Sequence, residues 1–97
     1  KYTLDEPKGI PVFKKTSKRR FDCNYKGILI QIEGVGKNQM MVTVEVDGKR
    51  RRYGGEKQNP ELVIAMAMRG WTDLQQKNSH YLQLLQMIKQ GTVKWVR

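Results

Sequence analysis

The sequence is poor in the residues that build disulfide frameworks and metal sites. Among its 97 residues there is one cysteine, Cys23, and one histidine, His80. A single cysteine excludes an internal disulfide and is typical of a reducing compartment. A zinc site needs about four ligands, and one cysteine with one histidine falls short of that. We therefore expect no metal and no cofactor.

Long hydrophobic runs are also missing. No apolar run approaches the roughly 20 residues of a transmembrane helix, and no signal-peptide pattern opens the chain. The first residue is Lys1 rather than methionine, which indicates an excised domain or a processed chain. We expect an intracellular protein, nuclear or cytoplasmic, without a membrane partner.

The chain offers little catalytic chemistry. Cys23 has no motif beside it, His80 lies at a predicted helix start, and the nine carboxylates show no paired spacing. Gly34-Val35-Gly36 lacks the third glycine and the following helix of a dinucleotide-binding loop. By the usual criteria for an active site, these residues are predicted to have no enzyme activity.

Negative charge is scarce relative to positive charge. The chain has 19 lysines and arginines against 9 acidic residues, a formal net charge of +10. This balance favours polyanionic partners, among which are nucleic acid, an acidic protein surface and an anionic membrane. The cations concentrate in residues 14–20 and 49–52. Charge runs often form only a solvated face, but few acids are interspersed here and the planar guanidinium of arginine binds phosphate in a bidentate manner.

The clearest structural signal is a β-hairpin. Apolar and polar residues alternate over residues 40–46, and Asp47-Gly48 then matches a type I′ turn, which needs positive φ at both central residues. A two-residue turn places Val46 opposite Lys49. The preceding strand, residues 27–33, joins this hairpin through a glycine-containing loop, which predicts a three-stranded antiparallel meander.

The predicted hairpin displays arginines on a rigid support. Arg50 and Arg52 lie on its polar face with Glu45, which can offset at most one of the two cations. Arg51 falls on the apolar face. Either its side chain reaches solvent at the sheet edge or the register differs by one residue.

Weaker strand signals flank the meander. Residues 10–13 are predicted as a short edge strand because Pro11 cannot donate to a β ladder, and residues 14–20 as a basic loop. Residues 21–25 alternate and form a candidate second strand. Residues 92–96 form a candidate last strand that can return to the sheet.

A first helix is predicted after the sheet. Asn59 suits the N-cap, Pro60 the first helical position and Glu61 the positive end of the helix. Residues 62–68 are apolar nearly all round, which favours burial on two sides. Gly70 is the expected end.

Two further helices are predicted. Thr72 and Gln75 match a capping box that opens a short second helix. Ser79 is the expected cap of a third helix over residues 80–90, which Gly91 ends.

These elements predict an α+β fold. It has an antiparallel sheet of three well-defined strands, extended to as many as six, with helices packed on one face. The length suits a single domain. Its parts are a flexible arm at residues 1–9, a strand-rich basic part at 10–58 and a helical part at 59–97 that ends in a strand.

Two families resemble the central part of the chain, roughly residues 27–70. The hairpin at 42–48, Tyr53-Gly54-Gly55 and Ala65-Met66-Ala67 are similar in order to the second half of a double-stranded-RNA-binding domain. That family opens its helix with a lysine-rich phosphate clamp, where this chain has residues 59–62, Asn-Pro-Glu-Leu.

The same stretch resembles the three-strands-plus-helix DNA-binding domains of plant ethylene-response factors and integrase arms. Those domains read the major groove with the sheet, which would give Arg50 and Arg52 base-reading or phosphate roles. The tryptophans that the family carries on its strands are absent here. Neither resemblance extends to the last residues of the chain, and no family is assigned.

We expect the chain to bind RNA or DNA without catalysis, with RNA slightly favoured. The basic loop and the basic hairpin would contact the phosphate backbone. Tyr25, Tyr53 and Trp71 are candidates for base stacking, although a core role is expected at each position. The predicted contact residues are Lys14, Lys15, Lys18, Arg19, Arg20, Lys37, Asn38, Lys49, Arg50 and Arg52.

The alternative is a protein-interaction module of a larger assembly. It would use the helical half, which is rich in glutamine and methionine. Methionine side chains adapt to the surfaces of partners. An anionic-membrane contact through residues 14–20 would need a basic amphipathic helix, which the chain lacks.

Overall fold

A six-stranded sheet and three helices account for the regular structure of residues 9–56 and 58–97, the residues that the computed structural model describes. The predicted α+β class is confirmed. Apart from Gly9, the predicted arm lies outside the described residues. The elements are β1 (Val12–Ser17), β2 (Arg20–Tyr25), β3 (Ile28–Val35), β4 (Gln39–Val46), β5 (Lys49–Glu56), α1 (Pro60–Arg69), α2 (Thr72–Gln75), α3 (Tyr81–Gln90) and β6 (Lys94–Val96).

The sheet is mixed, so the prediction of an antiparallel sheet is wrong in one place. The strand order is β5-β4-β3-β2-β1-β6, and β6 runs parallel to β1 while the other neighbours are antiparallel. The reason is the path of the chain. The helices carry it from β5 at one edge to β1 near the other, where β6 enters in the same direction as β1.

The hairpin register is confirmed. Val46 lies opposite Lys49, and Val44 lies opposite Arg51. Asp47 has φ of 54° and Gly48 has φ of 84°, the positive values that a type I′ turn requires. Arg51 therefore does lie on the face of the sheet that carries the buried valines.

The predicted basic loop at residues 14–20 is mostly strand. β1 continues through Ser17, and only residues 18–19 form the turn to β2. Lys14 lies opposite Asp22, a cross-strand pair of opposite charges that supports this extension. The strand is also covered at its outer edge by β6, so it is not the edge strand that was predicted.

The core lies between the helices and one face of the sheet. Tyr81 of α3 is fully buried there, and its hydroxyl donates a hydrogen bond of 2.8 Å to the Met68 carbonyl of α1. None of the described helices is long and apolar enough to cross a membrane. The buried strand residues are Phe13, Cys23, Tyr25, Ile28, Ile30, Ile32, Val42, Val44 and Val46, and helix residues such as Val63, Ile64, Leu84 and Ile88 pack against them.

Both ends of α1 and the C-terminal end of α3 follow the predictions. The Asn59 side chain accepts hydrogen bonds from the backbone N–H groups of Glu61 and Leu62. Gly70 follows the last residue of α1, and Gly91, with φ of 78°, caps α3 in the left-handed conformation.

The predicted caps of α2 and α3 are wrong. Trp71, not Thr72, precedes α2, and its side chain makes no capping hydrogen bond. His80 precedes α3, also without a side-chain cap. The Asn78 side chain accepts a 2.7 Å hydrogen bond from the His80 N–H instead. Several polar residues stand near the start of each of these helices in the sequence. The packing of the chain decides which of them is close enough to cap a backbone N–H group.

Candidate nucleic-acid interface

One end of the sheet gathers cationic side chains from three separate parts of the chain. The β1–β2 turn and the β3–β4 turn lie at this end because β1 and β3 run in the same direction. A hydrogen bond of 3.0 Å from the Gly34 N–H to the Arg19 carbonyl joins them. β6 also ends here because it is parallel to β1. We call this the basic end, and its cations are Lys15, Lys18, Arg19, Arg20, Lys37 and Arg97.

A cavity of about 870 Å³ opens at the basic end. The exposed side chains of Arg19, Lys37 and Arg97 border it. Its other lining residues include one acid, Glu61 of α1, and a set of aromatic and apolar side chains. That set is Phe21, Ile32, Met40, Pro60 and Trp95.

Trp95 is fixed on three sides. Its ring stacks on Phe13 with centroids 4.5 Å apart and an interplanar angle of 22°. Phe21 meets it edge-on, with centroids 5.2 Å apart. The indole Nε1 donates a hydrogen bond of 2.9 Å to Oε2 of Glu61. These contacts hold a flat, half-buried aromatic wall in the cavity with its polar edge already satisfied.

The hairpin cations lie far from the basic loop. β4, β3 and β2 separate β5 from β1. Strands lie about 4.8 Å apart, so the two strands are about 19 Å from each other across the sheet. Arg50, beside the β4–β5 turn, lies toward the opposite end from Arg19. The two predicted clusters are therefore separate surfaces.

Ion pairs engage much of the hairpin. Arg50 Nη2 lies 3.0 Å from Glu45 Oε1, on the adjacent strand. Lys49 Nζ lies 3.5 Å from Asp73 Oδ2, and Arg51 pairs with the same carboxylate. These pairs partly neutralise Lys49 and Arg50, two residues that were predicted from the sequence to contact phosphate.

Arg20 is engaged in the same way at the start of β2. Its Nε lies 3.0 Å from Asp22 Oδ1. The hydrogen bond and the charge of Asp22 raise the pKa of Arg20 above its ordinary value. Arg20 therefore remains charged but has a protein partner.

Six of the predicted cations form no ion pair with another described residue: Lys14, Lys15, Lys18, Arg19, Lys37 and Arg52. Asn38 lies in the β3–β4 turn beside Lys37. On the outer sheet face Lys14 and Arg52 alternate with acids, because Asp22 lies opposite Lys14 and Glu45 lies opposite Arg50. Four of the six, Lys15, Lys18, Arg19 and Lys37, lie at the basic end, where the acids among the described residues are Glu33 opposite Arg20, Glu56 at the end of β5 and Glu61 of the cavity.

Aromatic candidates for base stacking are largely used by the core. Tyr25 is 5% exposed, and Tyr53 and Trp71 are partly buried against the core. Sequence reasoning missed Phe21, Glu61, Trp95 and Arg97 as site residues. The alternation at residues 92–96 placed Trp95 on a strand, but nothing in the sequence indicated that this strand would lie beside β1.

Cys23 is not available as a nucleophile. Its side chain is 1% exposed, and burial raises the pKa of the thiol to about 11. The thiol is therefore protonated at neutral pH, whereas the thiolate is the reactive form. Within residues 9–56 and 58–97, no three His, Cys, Asp or Glu side chains cluster as metal ligands would.

No protein-family model, curated protein or solved structure matches this chain. The two partial resemblances of residues 27–70 therefore remain similarities in the order of motifs and elements.

Proposed function

We propose that this domain binds nucleic acid without catalysis, chiefly through phosphate contacts at the basic end. The observation that carries the proposal is the convergence of Arg19, Lys37 and Arg97 on the border of one cavity. These residues are far apart in the sequence, and the fold brings them together.

The electrostatics support a polyanion as the partner. The formal net charge of +10 attracts a polyphosphate chain at long range. At short range, the guanidinium groups of Arg19 and Arg97 match phosphate oxygens in a bidentate geometry. Each phosphate that is neutralised releases condensed counterions, which makes the affinity depend on salt.

The hairpin has a secondary role in this proposal. Arg52 has no ion-pair partner among the described residues, and Lys14 lies on the same outer face. A phosphate that binds Lys49, Arg50 or Arg20 would have to displace a carboxylate, so the free energy gained on binding is smaller there. The slight preference for RNA over DNA remains a prediction from the sequence.

Binding of labelled oligonucleotides at two salt concentrations tests the proposal. Oligonucleotides of about 12 residues, as single strands and duplexes of RNA and of DNA, would be titrated at about 50 and 200 mM salt. We expect log affinity to fall steeply with log salt. In the double variant Arg19→Gln/Lys37→Gln the slope should flatten by about 1.4 for single strands and about 1.8 for duplex DNA.

The hairpin supplies a matched control. Lys49→Gln/Arg50→Gln removes one lysine and one arginine as well, but both are held in ion pairs. We expect it to change the slope much less. Salt-independent binding, or an equal effect of the two double variants, would contradict phosphate contact at the basic end.

Exposed apolar side chains on the helices support the alternative, a protein-interaction module. Leu62 and Met66, one turn apart on α1, are 49% and 43% exposed, and Leu82 of α3 is 53% exposed. Large apolar side chains grouped on a surface often mark a protein contact. If Leu62→Glu/Met66→Glu abolishes a partner interaction while oligonucleotides do not bind at low salt, this alternative replaces the proposal.

A further inference from the structure

The cavity at the basic end combines features that phosphate contact alone does not need. A phosphate requires only cations and N–H donors at a surface. Here the same opening leads to Trp95, Phe21 and Met40, and its volume of about 870 Å³ lies in the range of small-molecule sites. Flat apolar walls next to cations suit a group that has both an aromatic face and a nearby negative charge.

A nucleobase in a polynucleotide is such a group. Bases that are unstacked from their neighbours bind proteins by stacking on aromatic side chains and by hydrogen bonds at their edges. The contacts of Trp95 with Phe13 and Phe21 hold its ring in place, so little conformational entropy would be lost when a base packs against this wall.

Glu61 determines how such a ligand would be oriented. Its carboxylate lines the cavity and would repel a phosphate placed deep inside. One oxygen accepts the Trp95 Nε1–H, but a carboxylate has about four lone-pair sites and can accept further hydrogen bonds. The exocyclic amino group of cytosine is a suitable donor to it. A bound base would therefore point inward, and its phosphates would remain at the border.

We propose that the cavity binds one unstacked base of a single-stranded nucleic acid, with the adjoining phosphates on Arg19, Lys37 and Arg97. This inference rests on the proposed function and deepens it. A duplex keeps its bases stacked and paired, so it would use the cations alone. The cavity would thus favour single strands over duplexes, and cytosine over thymine because thymine has no exocyclic amino group.

A cavity-filling substitution tests the base contact separately from the phosphate contacts. Met40 of β4 lines the cavity, so Met40→Trp would fill it and leave every cation in place. We expect the affinity for oligo(dC) to fall at least about fivefold, the lower end of what one stacked base contributes. The affinity for a duplex of the same length should change less than about twofold, because phosphate contacts remain.

Met41→Trp is the matched control. Met41 is adjacent in the sequence but lies on the other face of β4, opposite Gly54. We expect it to leave both affinities unchanged. If the two variants weaken oligo(dC) equally, or if the duplex loses as much affinity as oligo(dC) in Met40→Trp, the base site is overturned while the phosphate contacts stand.

Tryptophan fluorescence gives a second readout that leaves the cavity unaltered. The chain has two tryptophans, so Trp71→Phe leaves Trp95 as the only reporter. We expect oligo(dC) to quench its emission, oligo(dT) to quench it less at equal concentration and a duplex to leave it unchanged. Binding without quenching would overturn the base site. If no oligonucleotide binds at low salt, the proposed function and this inference both fail.

Discussion

Arg51 of β5 and Asp73 of α2 form an ion pair that joins the edge of the sheet to the helical layer. Lys49 reaches the same carboxylate. Partial burial by itself would raise the pKa of Asp73, but the charge of Arg51, a hydrogen bond from the Leu74 backbone N–H and the hydrogen bond and charge of Lys49 lower it below its ordinary value. This explains why an arginine occupies the apolar face. Arg51 lies opposite the buried Val44, and its guanidinium reaches an acid at the edge of the sheet.

The lowered pKa of Asp73 predicts a specific loss of stability in acid. A carboxyl whose pKa is lower in the folded protein stabilises it above its ordinary pKa, 3.8 for this group. That contribution is lost as the pH falls through the folded-state pKa. We expect Asp73→Asn to lower the Tm by a few degrees at pH 7, and the difference from wild type to shrink below about pH 4.

Asp47→Asn is the control for this prediction. It makes the same change in charge and size at an exposed turn residue. Asparagine tolerates the positive φ of that position. Melting curves of both variants between acid and neutral pH give the comparison. An Asp73→Asn difference that persists at low pH would show that the ion pair is not its cause.

Removing the hydroxyl from each of two buried tyrosines should change the free energy of unfolding in different ways. The Tyr81 hydroxyl donates to the Met68 carbonyl at 2.8 Å. We expect Tyr81→Phe to lower the free energy of unfolding by about 1 kcal/mol, the net value of a typical hydrogen bond. Chemical denaturation measures this value.

Tyr25→Phe is the matched comparison. The Tyr25 hydroxyl is buried and has no hydrogen-bond partner among the described residues. Leaving a polar group buried without a partner costs about 1–3 kcal/mol, so its removal should leave the protein as stable or more stable. A larger destabilisation in Tyr25→Phe than in Tyr81→Phe would contradict this account.

The sequence was sufficient for the parts of the fold that depend on local chemistry. The Asp47-Gly48 turn determined the hairpin register, and Asn59 with Pro60 determined the start of α1. Both signals rest on backbone geometry within a few residues. The extent of β1 could not be predicted in this way. Its polar residues Lys15 and Ser17 belong to the strand because they pair with β2, whereas β6 pairs only with Val12, Phe13 and Lys14.

The candidate site depended on information that is not local. Sequence reasoning found Arg19 and Lys37 from their charge. It could not find that Arg97 and Trp95 would join them, because that follows from the parallel pairing of β6 with β1. It also grouped Arg50 with the basic loop, although four strand spacings separate β5 from β1.

Gly91 connects the stability of the helical layer to the site. It caps α3 with φ of 78° and directs the chain into β6, which carries Trp95. No atom lies within 4 Å of a Cβ added at Gly91, so only the backbone conformation opposes a side chain there. Alanine in the left-handed region costs about 1–2 kcal/mol, partly offset by a less flexible unfolded chain. We expect Gly91→Ala to lower the free energy of unfolding by about 1 kcal/mol.

Gly70 provides the matched control at the end of α1. Its φ of −88° suits any residue, and the nearest atom to an added Cβ, the Ala67 carbonyl oxygen, is 3.9 Å away. Gly70→Ala should therefore be neutral or stabilise the protein by about 0.4–1 kcal/mol through the unfolded chain. Urea denaturation of the two variants measures the difference. Equal effects of the two variants would show that the left-handed conformation of Gly91 does not oppose a side chain at that position.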